Sequence, residues 1–320
     1  MNPTHADAAA ADAYAPHPLD ADPIRFGLDT TTVSTGIGDI AVRSCLRRTG
    51  RTATVLLHGA AGSWSTWTPM LAEIEARNQH VADLVLPDLP GWGDSPLPAE
   101  ADSRTVAAYA AAVAGLLRQL GYTDWHVVGH SLGGFIALEL AAAEPRATLS
   151  VGLVSPTTFS VADAARQPLR NLRALPWFVG LLIVMRVFAP LGRAASQLLS
   201  RFREIGALRR VMAPLFRHPA RVPTSVIDAL AVEVRPAAFV RAAASAAAYP
   251  AVERWSRLRM PVRVVHGDRD VFVTADDDAR LAAEIPDLTV TVLPDAGHFG
   301  HVESPAAVLD ALAEVVHARP

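Results

Sequence analysis

Residues 125–134 read "WHVVGHSLGG", and the run that follows, "FIALELAAAEP", is mostly apolar. The first half is a short apolar run of strand length, and the second is long enough for a helix. Ser131 stands at the junction. A chain that leaves a strand and enters a helix within a few residues must turn sharply. Glycines two before and two after the serine leave room for that turn. Gly129 and Gly133 occupy those places. A serine held there projects above the sheet edge, and the following helix offers free N–H groups. Alone, G-x-S-x-G also reads as a structural turn; an apolar strand before it and an apolar helix after it make the pattern strong.

On either side of this stretch, strands and helices alternate. "TTTVSTG" and "DIAVRSCLRR" flank "IG" and read as an antiparallel pair. "TATVLLH" is a buried strand ending at His58-Gly59, a helix is expected across Trp64–Ala76, and "HVADLVLPD" is the next strand. "SRTVAAYAAAVAGLLRQLG" is a helix with Ser103 as N-cap and Gly121 as its stop. "ATLSVGLVSP" is a strand, and after it the rhythm changes: residues 157–250 show no convincing strand. Alternation resumes with "MPVRVVHGD", the helix "ADDDARLAAEI", the strand "DLTVTVLPD" and the helix "SPAAVLDALAEVVHA". The pattern predicts an α/β fold with a mostly parallel central sheet flanked by helices and an inserted helical unit. The expected organisation is a flexible tail over residues 1–25, a core of 26–156 plus 251–320, and an insertion over 157–250.

Composition narrows the function. The chain has 320 residues, 51% hydrophobic and 19% charged, enough to bury a sizeable core. The net charge of −3 gives no reason to expect nucleic acid. All 29 basic residues are arginine, so no Schiff-base or general-base lysine exists. Cys45 is the single cysteine, which excludes an intrachain disulfide and a cysteine-rich metal site. The first 25 residues have neither the basic start nor the apolar stretch of a signal peptide, so a cytoplasmic location is expected. "PWFVGLLIVM", residues 176–185, is too short to span a bilayer and is interrupted by Arg186. It is expected to be a buried helix of the insertion, with contact to a membrane surface or a substrate tunnel as the less favoured alternative.

A serine hydroxyl is a poor nucleophile until a base takes its proton. "LPDAGHFGHVESP" supplies the base in a loop after a strand: His298, with His301 as the alternative nearer the next helix. The acid that orients the imidazole comes from "VVHGDRDVFVT". Asp270 lies deeper in that loop and is preferred, while Asp268 reads as a turn cap. The strand after the serine helix ends "LVSPTTFS", without a carboxylate that would serve instead. Asp276, Asp277 and Asp278 read as a solvated helix start. Two N–H donors are needed for an oxyanion. Leu132, next to the serine, supplies one; Ala60 in "HGAAGSW" is the candidate for the other, although Gly59, Ala60 and Ala61 also read as plain turn residues.

"LHGAAGSWSTW", "PDLPGWGDS", "VVGHSLGGFIAL", "VVHGDRDVFV" and "DAGHFGHVESP" occur in this order, and with them the chain resembles the α/β-hydrolase family. The resemblance spans about residues 30–156 and 251–317. It implies the α/β-hydrolase fold, a triad of Ser131, Asp270 and His298, no cofactor or metal, and a variable helical cap in residues 157–250. Asp88 and Gly91–Ser95 look like residues that shape a loop at the pocket rim. The serine at the nucleophile position speaks against the epoxide-hydrolase and haloalkane-dehalogenase branches, and "HGAAG" is neither "HGGG" nor "HGGPG".

The expected activity is serine-dependent hydrolysis of a carboxylic ester or lactone. The alternatives are hydrolysis of a carbon–carbon bond in a ring-fission-type diketone by the same triad, which the "GHF…E.P" ending resembles, and a ligand receptor without turnover. The expected partner is therefore a small ester, lactone or diketone, with no nucleic acid; a homodimer is compatible with the sequence. Between Val161 and Arg221 eleven arginines face Asp163 and Glu204, a well-spread basic surface that also suits an anionic substrate or lipid.

Overall fold

The computed structural model describes residues 14–100, 104–191 and 207–316. Eight strands form one sheet: β1 (Leu28–Thr35), β2 (Gly38–Cys45), β3 (Thr52–Leu57), β4 (Leu84–Pro87), β5 (Asp124–His130), β6 (Thr148–Val154), β7 (Val262–Gly267) and β8 (Leu288–Leu293). Their spatial order is β1-β2-β4-β3-β5-β6-β7-β8. The β1–β2 hairpin and the β2–β4 pair are antiparallel, and every pair from β4 to β8 is parallel. Parallel strands need crossover helices, and helices cover both faces. The central strands are accordingly apolar on both sides: Val55, Leu57, Val127 and Leu153 pack into one layer, and Leu56, Val128, Val154 and Val265 into the other.

Register brings the chemistry to one edge. Leu57 pairs with Gly129, so the loop leaving β3 emerges beside the turn leaving β5. Gly267 pairs with Leu293, so the loops after β7 and β8 emerge together. Helices α1 (Thr68–Ala76), α2 (Val106–Gln119) and α3 (Leu132–Ala143) follow β3, β4 and β5. Thr105 caps α2 by accepting the Ala108 N–H; the expected cap, Ser103, lies outside the described residues.

Between β6 and β7 the described elements are all helical, among them α4 (Phe159–Arg166), α5 (Pro176–Phe188), α6 (Thr224–Val232) and α7 (Pro236–Ala248). Helix α8 (Ala275–Glu284) follows β7. The last expected helix is broken at Leu312 into Pro305–Ala311 and Ala313–Val316.

Three expectations need correction. The flexible tail does not extend to residue 25. From Tyr14 the chain is packed: the Tyr14 hydroxyl donates to Glu303 at 2.7 Å, the Ala15 N–H donates to the Glu303 carbonyl, and the Leu19 N–H donates to Ser225. An alanine-rich, acidic composition hides one aromatic anchor with a buried acceptor waiting for it. The run 176–185 is only half buried: α5 covers Phe178, Val179, Leu182 and Met185 and leaves Trp177, Ile183 and Val184 exposed. Asp277 is not solvated. It closes a capping box with Thr274 and accepts from Thr158 and the Ser160 N–H, stitching α8 to the start of α4.

Candidate active site

Ser131 ends β5 and opens α3 with φ 52° and ψ −117°, outside the conformations a side-chain-bearing residue prefers. Such strain costs ~1–3 kcal/mol and persists only where neighbours over-determine it. Here the Ser131 N–H donates to Val154, and its carbonyl accepts from Gly134, Phe135 and Thr157. The two flanking glycines are sterically required. A methyl group on Gly129 would run into the Gly133 carbonyl, and one on Gly133 into the Leu57 carbonyl. The spacing therefore reflects close backbone approach on both sides of the serine.

The relay expected from sequence is assembled. The Ser131 hydroxyl donates to His298 Nε2 at 3.0 Å, and His298 Nδ1 donates to both Asp270 oxygens at 2.9 and 3.0 Å. Nδ1 faces a carboxylate, which fixes the tautomer and leaves Nε2 free to accept. Ser131 and His298 are buried, as is the Asp270 side chain. Burial alone would raise the Asp270 pKa. The imidazole, its hydrogen bond and the Phe272 N–H outweigh burial and hold the carboxyl below its ordinary range. Phe272 packs edge-on against the imidazole, with ring centroids 4.7 Å apart.

The alternatives go elsewhere. Asp268 is partly exposed, accepts a long hydrogen bond from the Ala296 N–H and lies 3.8 Å from Arg269, away from His298. His301 is buried between the Trp67 and His130 rings, at 4.6 and 4.4 Å, and burial pushes its pKa down to about 3. The His130 Nε2–H donates to the His298 carbonyl, so this buried ring supports His298 from behind.

Ala60 and Leu132 both line the cavity beside Ser131. Among the described residues neither N–H has a protein acceptor, and Leu132 is the first residue of α3. The loop carrying Ala60 is held by His58, which accepts the Leu89 N–H at Nε2 and donates from Nδ1 to the Gly59 carbonyl. Asp88 is buried and accepts from Arg43, the Trp64 N–H and the Asp94 N–H, which fixes the rim loop against the same strand end.

Glu303 was not identified from sequence as a site residue. It is fully buried, and its carboxylate accepts from the N–H groups of Gly297 and Phe299, which bracket His298. The same carboxylate accepts from the Arg217 N–H and the Tyr14 hydroxyl. Burial raises its pKa and these donors offset part of the rise. The His298 N–H itself donates to the Leu215 carbonyl. One acid thus ties the base loop to the helical region and the N-terminal segment. The sequence signal is the glutamate of the "GHF…E.P" ending, two residues before Pro305, which reads only as a likeness and not as a site residue.

Above Ser131 lies a cavity of about 400 Å³. Its walls are Phe178, Leu181, Met185, Leu215, Phe239 and other apolar side chains, mostly from residues 157–250. Arg235 is the one charged residue in the lining, and it is occupied by Glu233 at 3.0 Å and the Gly93 carbonyl. Among the described residues no group of three His, Cys, Asp or Glu side chains is arranged to hold a metal ion. No helix of the described residues is long and apolar enough to cross a membrane.

Comparison with known proteins follows this geometry. The profile described as "Alpha/beta hydrolase family" matches residues 54–311. Over 261 residues the chain is 26% identical to the 2-hydroxy-6-oxo-6-phenylhexa-2,4-dienoate hydrolase of Burkholderia cepacia, covering 78% of this chain and 82% of that one. It is 29% identical over 285 residues to a protein named as a candidate carbamate hydrolase in Escherichia coli O26:H11, covering 83% and 92%. Among solved structures, wild-type Cfl2 of Burkholderia cenocepacia superposes with a TM-score of 0.70 at 20% identity, covering 92% of this chain and 98% of that one.

Proposed function

The chain belongs to the alpha/beta hydrolase family, and from that premise we propose that it hydrolyses a carboxylic ester or lactone through an acyl intermediate on Ser131. The observation that carries this reading is the Ser131–His298–Asp270 relay at the floor of an apolar cavity. In the first half-reaction His298 Nε2 takes the Ser131 proton as the oxygen attacks the carbonyl carbon. Asp270 stabilises the imidazolium that forms. The Ala60 and Leu132 N–H groups receive the charge on the tetrahedral oxygen, a contribution of ~3–4 kcal/mol per aimed donor. His298 then protonates the leaving alkoxide and the acyl-serine remains. In the second half, water gives its proton to His298, attacks the acyl carbon and releases the acid. Residues 157–250 act as the cap that closes the acyl cavity.

The lining favours an ester with an apolar acyl or alkyl group. A free carboxylate on the substrate would need a cation, and Arg235 is already paired. A second reading, carbon–carbon bond hydrolysis next to a ketone, draws on the Burkholderia cepacia relative, which is named for a dienoate. It requires Arg235 to exchange Glu233 for the substrate. A panel of nitrophenyl esters, lactones and acidic vinylogous diketones separates the two. Turnover of neutral esters, lost in Ser131→Ala, supports ester hydrolysis. Turnover confined to acidic diketones, lost in Arg235→Gln, would replace it with the second reading.

A further inference from the structure

The run "PWFVGLLIVM" has two apolar faces, and the fold uses one. Phe178, Val179, Leu182 and Met185 face inward on α5, while Trp177, Ile183, Val184 and Val187 stay in solvent. A helix that is apolar all round is normally buried all round. Elsewhere on the molecule exposed apolar residues are scattered, which is ordinary. Here they are concentrated: of the fourteen large apolar side chains exposed among the described residues, eight lie between Leu169 and Val211. Val187 is 63% exposed and Val211 69%. Trp177, Val184 and Val211 also line the cavity above Ser131, so the exposed patch and the cavity mouth are one surface.

The exposed charges of this stretch of the chain, residues 164–221, are of one sign among the described residues, with Asp228 the nearest exposed acid along the chain, on the helix beside Ala207–Met212. Arg170, Arg173, Arg186 and Arg210 are exposed, and among the described residues Arg173, Arg186 and Arg210 have no acidic partner. The described acid just before this stretch, Asp163, is occupied by Arg166 and Arg280; Glu204 lies outside the described residues. A second copy docking through this face would bring the arginines of both copies to one seam, where they outnumber the acids of the stretch. An apolar interior edged by anions fits both features. We propose that the α5 face and its arginines seat the enzyme on an anionic lipid surface, with the cavity mouth opening toward it. Trp177, Val184 and Val187 enter the headgroup boundary, the guanidinium groups meet lipid phosphates, and an amphiphilic ester passes from the lipid to Ser131 without crossing water. This takes up the less favoured sequence-based alternative for residues 176–185, and it rests on the ester-hydrolase reading for the identity of the substrate.

Binding is tested on the full chain carrying Ser131→Ala, so that it is read without turnover. Flotation with vesicles of phosphatidylcholine alone is compared with phosphatidylcholine mixed with phosphatidylglycerol. The expected result is association with the anionic vesicles only, weakened by salt. Arg173→Gln with Arg186→Gln is expected to weaken it about 25-fold, at about fivefold per cation. Ile183→Asp with Val187→Asp is expected to abolish it. In the Ser131 background the aspartate pair should hydrolyse a short soluble ester at the parent rate, because neither residue lines the cavity. Three outcomes overturn the proposal: no association with either vesicle; a concentration-dependent dimer that the aspartate pair dissociates; or a Tm lowered by several degrees in the aspartate pair, meaning that the chain itself covers this face. Loss of soluble-ester turnover in the parent would instead count against the ester reading and leave vesicle binding intact.

Discussion

The cavity has two halves built by different rules. The sheet half, from the loops after β3, β5, β7 and β8, carries the polar groups Ser131 and His298, and behind its lining directed bonds answer one another: serine to imidazole, imidazole to carboxylate, His58 to Gly59, Glu303 to the N–H groups beside His298. The helical half is a set of apolar side chains, with one arginine already neutralised. Directed bonds fix geometry to a few tenths of an ångström and tolerate no exchange. Dispersion and burial are non-directional and tolerate change when volume is kept. Chemistry is therefore assigned to the first half and choice of substrate to the second, and substitutions in the two should fail in different ways.

The largest effect is expected from Ser131→Ala. Ester turnover should fall by ~10³-fold or more with Tm almost unchanged, read by kcat/KM and thermal melts side by side. Gly133→Ala comes next. Its methyl group would meet the Leu57 carbonyl, so the serine turn must open, costing about 3 kcal/mol or more in stability and most of the activity. Soluble yield and denaturant midpoint report this. A variant as stable and active as the parent would remove the steric account of the two glycines.

Acid should weaken the sheet half in two overlapping steps. His58, His130 and His301 are kept neutral by burial, with pKa values lowered in the fold. The unfolded chain takes up protons near pH ~6.5 that the native state refuses. Their contribution is present above that value and lost as pH falls toward the folded pKa values. Asp270, also lowered, contributes above the ordinary carboxylate range near ~4 and is lost as pH falls through its folded pKa. Denaturant midpoints should decline from pH ~6.5 downward, continuing toward about 3 where His301 titrates, and more steeply below ~4; a flat profile would contradict both.

Glu303→Gln is expected to act more locally. An amide replaces one acceptor oxygen with a donor while every partner of this carboxylate is itself a donor. We expect kcat to fall about 10–100-fold, KM to change less than threefold, and the pH profile of kcat/KM to shift as His298 loses its register. Equal losses in kcat and in folded fraction, with no shift in the profile, would reduce Glu303 to a structural role. Phe239→Ala in the helical half should be mildest. It should raise KM for long-chain esters about tenfold, consistent with ~1.5–3 kcal/mol for a buried aromatic contact, and leave short esters and kcat nearly unchanged.

The same division governs what was legible in the sequence. Ser131, Asp270 and His298 each sit in a short local pattern: a glycine-framed serine, and loops that follow apolar strands. A linear reading finds such patterns, and the eight strands were found by the same means. Glu303 was missed because its partners come from far away in sequence, Tyr14 being 289 residues distant. Asp277 was misread beside Asp276 and Asp278, since only Thr158 and Ser160, brought in by the fold, distinguish it. The helical half was the least legible. Periodicity reports that α5 is apolar, and it cannot report which of two apolar faces the rest of the chain will cover.

The central claim is that Ser131 carries the acyl group. It is tested most directly by reacting the chain with a nitrophenyl alkylphosphonate and mapping the adduct by intact and peptide mass. The expected result is one adduct per chain, on Ser131, appearing in step with the loss of ester turnover and absent in Ser131→Ala. Label on another residue, or full turnover after Ser131 is stoichiometrically modified, would contradict it.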